Sequence, residues 1–377
     1  MRKLRIAVLN NYDLKRVEKE VENGEVPNHL LFGINHLRDY GHLIENFSVK
    51  IDRNLEEKYR ITSGIYKFFT HFENLNLQKK VYKRSHEFDL IFCLSGGVSE
   101  WLHYQYSQSK LHTPILTIFH HPLPEGKLDF IRNRFRRSTF KKQNLLLSLS
   151  KKTSQSFNKV IKNEITKSIP WGVDYNFYTN LTKKDPLLKS KRILLSCGRT
   201  ARDLNTLVRA AIISEVKTKI ICEKNSIIPL HRKNNFISFE QTTYSCCKEE
   251  NTYQLMASRM HEVMAIAIPL EKQSTLAGLT SLMDCLGFGK PVIMTRNPCI
   301  DIDIEKIGIG HWIDPYDVDG WVNAIKWHAS NKKKSLLMGK KAREFGKKIS
   351  SNLFGENINR IILNFHQNHQ IYKENIF

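Results

Sequence analysis

The chain has 377 residues and a formal net charge of +22, from 59 lysines and arginines against 37 aspartates and glutamates. Hydrophobic residues at 41% and charged residues at 25% exclude a disordered chain, and no apolar run approaches the ~18 residues of a spanning helix. At ~150 residues per domain, this length predicts two domains or three, each able to bury its own core.

Met1–Arg5 is basic, but the apolar run behind it, Ile6–Leu9, is too short for the core of a secretion signal. The seven cysteines form no C-x-x-C pair, and the adjacent Cys246-Cys247 suits neither a disulfide nor a zinc site. Reduced, buried thiols in a cytoplasmic protein are the expectation.

In chain order, Arg5–Leu9 reads as a strand and Asn28–Tyr40 as an amphipathic helix closed by Gly41. Phe88–Leu94 is a near-continuous apolar run opening onto Ser95-Gly96-Gly97, and Ile115–Phe119 and Leu145–Leu149 repeat it. Such runs are buried on both faces, the mark of a parallel sheet covered by helices. Pro170–Asp174 and the polar stretch Asn180–Ser190 read as a linker. A second series follows, with strands at Ile193–Ser196, Lys219–Cys222, Phe236–Phe239, Val263–Ile268 and Pro291–Met294. Helical patterns fall between them at Leu204–Ile213, Tyr253–Arg259, Thr280–Phe288 and Val318–Ser330. A last helix is predicted over Asn357–Tyr372. The fold class is therefore α/β: two tandem doubly wound, Rossmann-like domains. They cover residues 1–170 and 191–350, with a linker at 171–190 and a helical tail at 351–377 that packs back toward the first domain.

Open parallel sheets bind ligands beyond the carboxyl ends of their strands, beside helix N-termini. After Ile193–Ser196 comes Cys197-Gly198-Arg199-Thr200-Ala201-Arg202-Asp203. Its glycine permits close backbone approach, and Arg199 and Arg202 offer fork-shaped donors to phosphate; solvated arginines at a helix start are the alternative. Further on, Gly278-Leu279-Thr280-Ser281 opens a helix as a pyrophosphate cradle would, and Asp284 lies one turn inside, where a carboxylate could hold ribose hydroxyls. An ordinary hydroxyl cap with an acidic neighbour is the competing reading.

The run from Ala277 through Asp284, Gly289, Pro291 and Val292 resembles the donor-site motif of the "glycosyl transferases group 1" family, nucleotide-sugar enzymes of the GT-B fold. Asn28–Gly41-His42, Ile169–Asp174 with Phe177, Cys197–Arg202 and Gly310–Asp317 resemble further family motifs in the same order. The resemblance spans nearly the whole chain. It implies two domains facing each other across a cleft that closes about the linker. It also implies a UDP- or GDP-linked sugar held by Gly198, Arg199, Arg202, Gly278, Leu279, Thr280, Ser281 and Asp284, with no metal and no further cofactor. Leu276 stands where the family places a first acidic residue. His120, with His121 second, follows the strand Ile115–Phe119 where such enzymes often place a histidine facing the sugar. Transfer with retention to a hydroxyl of a lipid-linked or cell-envelope glycan is the implied activity. A nucleotide-sugar epimerase, a nucleic-acid-modifying enzyme and a catalytically inactive relative stay open.

Phe130–Lys142 interleaves arginines and lysines with phenylalanines, and Ile65–Phe72 and Lys79–Arg84 share that mixture. Basic segments with aromatic residues suit an anionic membrane surface, so a peripheral position on the inner membrane face is expected. Nucleic acid is the rival polyanion, and a plain solvated surface the third reading.

Overall fold

The computed structural model describes residues 2–48, 74–143, 145–182, 192–198, 200–222, 234–241, 252–260 and 262–374. The basic stretch Ile65–Phe72, the Cys246-Cys247 pair, Arg199 and most of the polar linker lie outside them. Two compact units form. One comprises Met1–Glu22, Asn28–Trp171 and Asn352–Phe377, the other Asn23–Pro27 and Gly172–Ser351.

In the first unit the strands are β1 (Arg5–Asn10), β2 (Leu43–Ser48), β3 (Leu90–Cys93), β4 (Ile115–Phe119), β5 (Leu146–Ser148) and β6 (Thr166–Ser168). They make one parallel sheet in the order β2-β1-β3-β4-β5-β6. The helices are α1 (Leu14–Glu22), α2 (Ile34–Asp39), α3 (Leu75–Lys83), α4 (Glu100–Ser107), α5 (Asp129–Phe140) and α6 (Lys151–Ile161). β3 and β4 are buried along their whole length, as their unbroken apolar runs require. Ala7, Leu9, Ile91, Cys93 and Ile115 pack with Val81, Val98 and Leu102 of the covering helices and turns.

The second unit opens with α7 (Tyr175–Thr182), followed by β7 (Ile193–Cys197), α8 (Leu204–Ser214), β8 (Lys217–Cys222), β9 (Ile237–Gln241) and α9 (Thr252–Arg259). Then come β10 (Val263–Ile268), α10 (Leu279–Phe288), β11 (Val292–Thr295), α11 (Ile304–Ile307), β12 (Gly310–Ile313), α12 (Val318–Ser330) and α13 (Lys332–Lys348). Its sheet is also parallel, in the order β12-β11-β10-β7-β8-β9. Strand order reverses between β7 and β10, which are neighbours in the sheet although β10 begins at Val263, 66 positions after β7 ends at Cys197. That reversal opens a crevice between the loops that follow β7 and β10. α14 (Ser351–Glu374) closes the chain, and from Asn352 onward it belongs to the first unit. There Asn359 Oδ1 meets His42 Nε2 at 2.8 Å, while His42 Nδ1 accepts from the Leu4 amide at 3.1 Å. Among the described residues, no helix is long and apolar enough to cross a membrane.

Two expectations are corrected. The helix predicted over Asn28–Tyr40 is a 3-10 turn at Asn28–Leu31 followed by α2, because Phe32 and Gly33 take left-handed backbone (φ 50° and 83°). The stretch read as linker carries α7 over Tyr175–Thr182, held by Asp174 Oδ1 accepting from the Phe177 amide at 3.1 Å. Among the helices not anticipated are α1 and α13, both mostly polar and burying only a few side chains.

Candidate functional site

In the second unit the crevice is built from the loops after β7 and β10. Gly198 turns the chain at φ +133°, and Arg202 folds back over it, so that a Cβ at 198 would fall inside the guanidinium. The left-handed φ is what favours glycine there, since the guanidinium is the far end of a flexible side chain and could move. Arg202 Nη1 donates to the Thr200 carbonyl at 2.8 Å and Nη2 to Ser281 Oγ at 2.7 Å. Asp203 then caps α8, accepting from the Thr206 amide at 3.1 Å. The two loops are joined by a bridge between Arg202 and Leu270 and by the Glu271 amide donating to the Ala201 carbonyl at 3.0 Å. Asn297 Nδ2 donates to the carbonyls of Thr275 and Ala277 at 3.0 and 2.9 Å, which holds the approach to α10.

Gly278 is the N-cap of α10 at φ 88°, and no side chain caps the helix. Its first-turn amides carry the positive end of the helix dipole toward the crevice. Leu279 and Ser281 are buried and Thr280 is exposed. Leu279 therefore offers its amide and not its side chain. The site thus brings together Gly198, Arg202, Gly278, Leu279, Thr280 and Ser281, and Arg199 lies outside the described residues. Fixed amides and a planar guanidinium form a cradle for an oxyanion.

Asp284 sits one turn behind Ser281 and is only 6% exposed. Its Oδ1 accepts a 2.6 Å hydrogen bond from Tyr178 of α7. Burial pushes its carboxyl up to about 7, against the opposing pull of the Tyr178 bond and the Arg202 charge. Burial and the Asp284 charge keep the Tyr178 phenol well above its ordinary value, so its proton stays on oxygen. Tyr178 was not singled out from the sequence, since 106 residues separate it from its partner. Asn297 was also missed. Leu276 is buried and apolar at 7% exposure.

In the first unit His120 follows β4. Its ring stacks on Phe32 at 5.1 Å, and Phe32 stacks on Trp171 at 5.4 Å. The indole donates to the His29 carbonyl at 3.2 Å. Phe32 takes left-handed backbone at the position from which its ring stacks on the histidine. Burial, with the neighbouring His121, lowers His120 to about 4, while a hydrogen bond to the Leu94 backbone acts the other way. Nε2 is buried and unpartnered. The bond to Leu94 therefore uses Nδ1–H and leaves Nε2 with a free lone pair. His121 is exposed, with its ring 6.3 Å from that of His120. Ser95-Gly96-Gly97 lies after β3, where Gly96 lets the Phe119 ring approach closely.

Cations of the first unit are arranged in part as a stripe. Lys127, Phe130, Ile131, Arg134, Arg137, Lys141 and Lys142 recur at helical spacing along α5 and its flanks, and all are exposed, Phe130 at 73%. Arg136 turns inward and donates to Asn133 Oδ1 at 2.9 Å. Arg84 is bonded to Glu45 and Glu87, so it leaves the basic surface expected around Lys79–Arg84.

No family model and no curated protein matches the chain. Solved structures do. A glycosyltransferase from Rickettsia africae is 17% identical at a TM-score of 0.66, covering 97% of this chain and 99% of its own. Anabaena HepE, in complex with UDP and glucose, is 14% identical at 0.61, covering 96% and 100%. WaaG, a glycosyltransferase involved in lipopolysaccharide biosynthesis, is 12% identical at 0.59, covering 95% and 99%. The two parallel sheets and their helices are those of the GT-B fold.

Proposed function

We propose that this GT-B chain is a glycosyltransferase that moves a sugar from a nucleotide-sugar donor to a hydroxyl of an acceptor glycan. The observation that carries the reading is the uncapped N-terminus of α10 with Arg202 bonded across to Ser281. In such a transfer, charge develops on the leaving diphosphate. Groups already fixed and pointing at it stabilise the transition state without reorganising. The amides of Leu279, Thr280 and Ser281, the Thr280 hydroxyl and Arg202 are such groups. Arg199 follows Gly198 directly and is assigned the same phosphate role. These protein charges take the part that a divalent cation plays in other enzymes. Asp284 holds the ribose.

In the first unit, Nε2 of His120 accepts a hydrogen bond from a sugar or acceptor hydroxyl. A neutral imidazole suits that role at neutral pH, because Nε2 keeps its lone pair; that atom is enclosed in this structure, so the ring has to be uncovered for the hydroxyl to reach it. His121 is the second residue on that side. Retention of anomeric configuration follows from the family resemblance and is read from the product by NMR.

The acceptor is assigned to a lipid-linked or cell-envelope glycan on the strength of the exposed stripe along α5. Two exposed hydrophobic side chains among five cations match an anionic bilayer surface, each cation near it contributing ~1 kcal/mol. The chain would then work as a peripheral protein on the cytoplasmic face.

The test is direct. UDP, GDP and ADP are titrated against the purified protein, and UDP- and GDP-sugars are supplied with and without glycan acceptors. Binding of one diphosphate below millimolar, and sugar transfer that persists in EDTA, are expected. No binding of any of the three would sink the reading. Conversion of the donor's sugar without an acceptor would instead identify an epimerase.

A further inference from the structure

Asp284 is a poor ribose ligand unless something aims it, because a buried carboxylate with free rotamers can turn both oxygens away from a ligand. We propose that Tyr178 is the positioning residue for ribose recognition: its hydroxyl clamps Oδ1 of Asp284 and leaves Oδ2 to accept from the ribose hydroxyls. The inference rests on the nucleotide reading above and names how that site distinguishes one part of its ligand.

The clamp is built into the packing. Tyr178 is fully buried, and its ring lies against α10 where residue 287 is glycine; a Cβ there would fall inside the ring. Phe288 meets the same ring edge-on at 4.8 Å, and Phe177 does so at 5.1 Å. With the ring wedged on these sides, the hydroxyl has one place to go, and it reaches Asp284 at 2.6 Å. A bond this short between a phenol and a carboxylate is charge-assisted. It fixes the carboxylate plane on the helix that also carries the first-turn amides of the diphosphate cradle. Phosphate and ribose recognition are thereby set on one rigid element.

Charged and titratable groups among the described residues face the pair from several elements. Arg202 faces Asp284 from the loop after β7, and Cys285 adjoins it on α10. Tyr253 of α9 and Asp174 ahead of α7 face Tyr178. The Tyr178 bond favours the ionised carboxylate, which is the form that accepts from a hydroxyl. Removing that hydroxyl should both loosen the carboxylate and move its titration upward.

The experiment compares full-length wild-type protein with Tyr178→Phe, using UDP and 2′,3′-dideoxy-UDP (or the guanosine pair if GDP binds tighter). The two ligands share base and diphosphate and differ only in ribose hydroxyls. Tyr178→Phe is expected to weaken UDP about tenfold and to change dideoxy-UDP less than about twofold, as befits one charge-assisted hydrogen bond acting through ribose. The ratio of the two affinities should also titrate at higher pH in the variant, and the diphosphate's own titration cancels from that ratio. Equal weakening of both ligands, or no change in either, overturns the proposal, since a merely structural tyrosine would affect them alike. Asp284→Asn keeps the test valid if Tyr178→Phe does not fold: it should abolish the preference for UDP over dideoxy-UDP, and a preserved preference overturns the proposal. Wild-type protein that binds no nucleoside diphosphate overturns the nucleotide reading itself, and the clamp falls with it. That outcome is distinguishable, because only then do all ligands fail on unmodified protein.

Discussion

The two units carry parallel six-stranded sheets, yet the ends of their strands present opposite chemistry. In the first, the residue after β4 is a neutral imidazole in an aromatic stack with Phe32 and Trp171. In the second, the loops after β7 and β10 present a guanidinium and the uncapped N-terminus of a helix. The backbone scaffold is shared, and a handful of side chains at the strand ends leaves a neutral imidazole at one and a guanidinium beside helix amides at the other. In folds of this kind function is decided outside the sheet.

That contrast can be broken most sharply at Arg202. Replacing it with alanine should lower kcat/KM for transfer ~10²- to 10³-fold, the loss typical of a single preorganised electrostatic donor. Steady-state kinetics on the variant measure this, and Arg202→Lys should recover only part of the loss because a point charge does not reproduce the fork. Activity retained in Arg202→Ala would remove the guanidinium from the cradle.

Acid should separate the units next. Burial lowers His29 and His103 to about 3 in the first unit, and both are almost fully enclosed. Their folded values lie below the unfolded 6.5. The stability they allow is therefore complete above pH 6.5 and is lost as pH falls toward 3, at up to ~3 kcal/mol each by pH 4. In the second unit His328 behaves in the same way, being lowered to about 3. Asp284 is raised to about 7, so its contribution is complete below pH 3.8 and fades as pH rises through 7. The two oppose each other between pH 4 and 6.5. Hydrogen exchange followed by mass spectrometry at pH 7 and 4.5 should show the first unit losing more protection; equal losses would mean that these histidines are not what holds the difference.

His120→Ala should reduce transfer ~10²-fold while leaving the affinity for the free diphosphate within about twofold. Kinetics and calorimetry on the same variant check the pair of numbers. A large fall in diphosphate affinity would contradict the division of labour between the units.

The smallest effect is expected at the surface. Arg134→Ala with Arg137→Ala should weaken binding to vesicles of 30% phosphatidylserine by roughly tens-fold, from the ~1 kcal/mol assigned to each cation. Sedimentation with such vesicles reads it out, and a matched change at the exposed basic α13 should matter less if docking belongs to the first unit. Unaltered sedimentation would leave the α5 stripe a solvated face.

Much of this was legible in the chain. Buried parallel strands announce themselves as unbroken apolar runs, so β3, β4, β7 and β10 were found within a residue or two, and the sheet rule directed attention to the loops that follow them. Gly278 ahead of Leu279-Thr280-Ser281 marked a helix start, and His120 was singled out because it directly follows β4. These signals are local, and local sequence determines them. Other features depend on partners far away in the chain. Phe32 adopts left-handed backbone inside a helical pattern, where its ring packs between His120 and Trp171. Arg202 folds over Gly198 to reach Ser281, 79 residues on, and Tyr178 reaches Asp284 across 106. Periodicity carries no information about such pairs. Only the packed structure decides them, because burial makes each unmet polar group costly and so selects the one arrangement in which these groups meet.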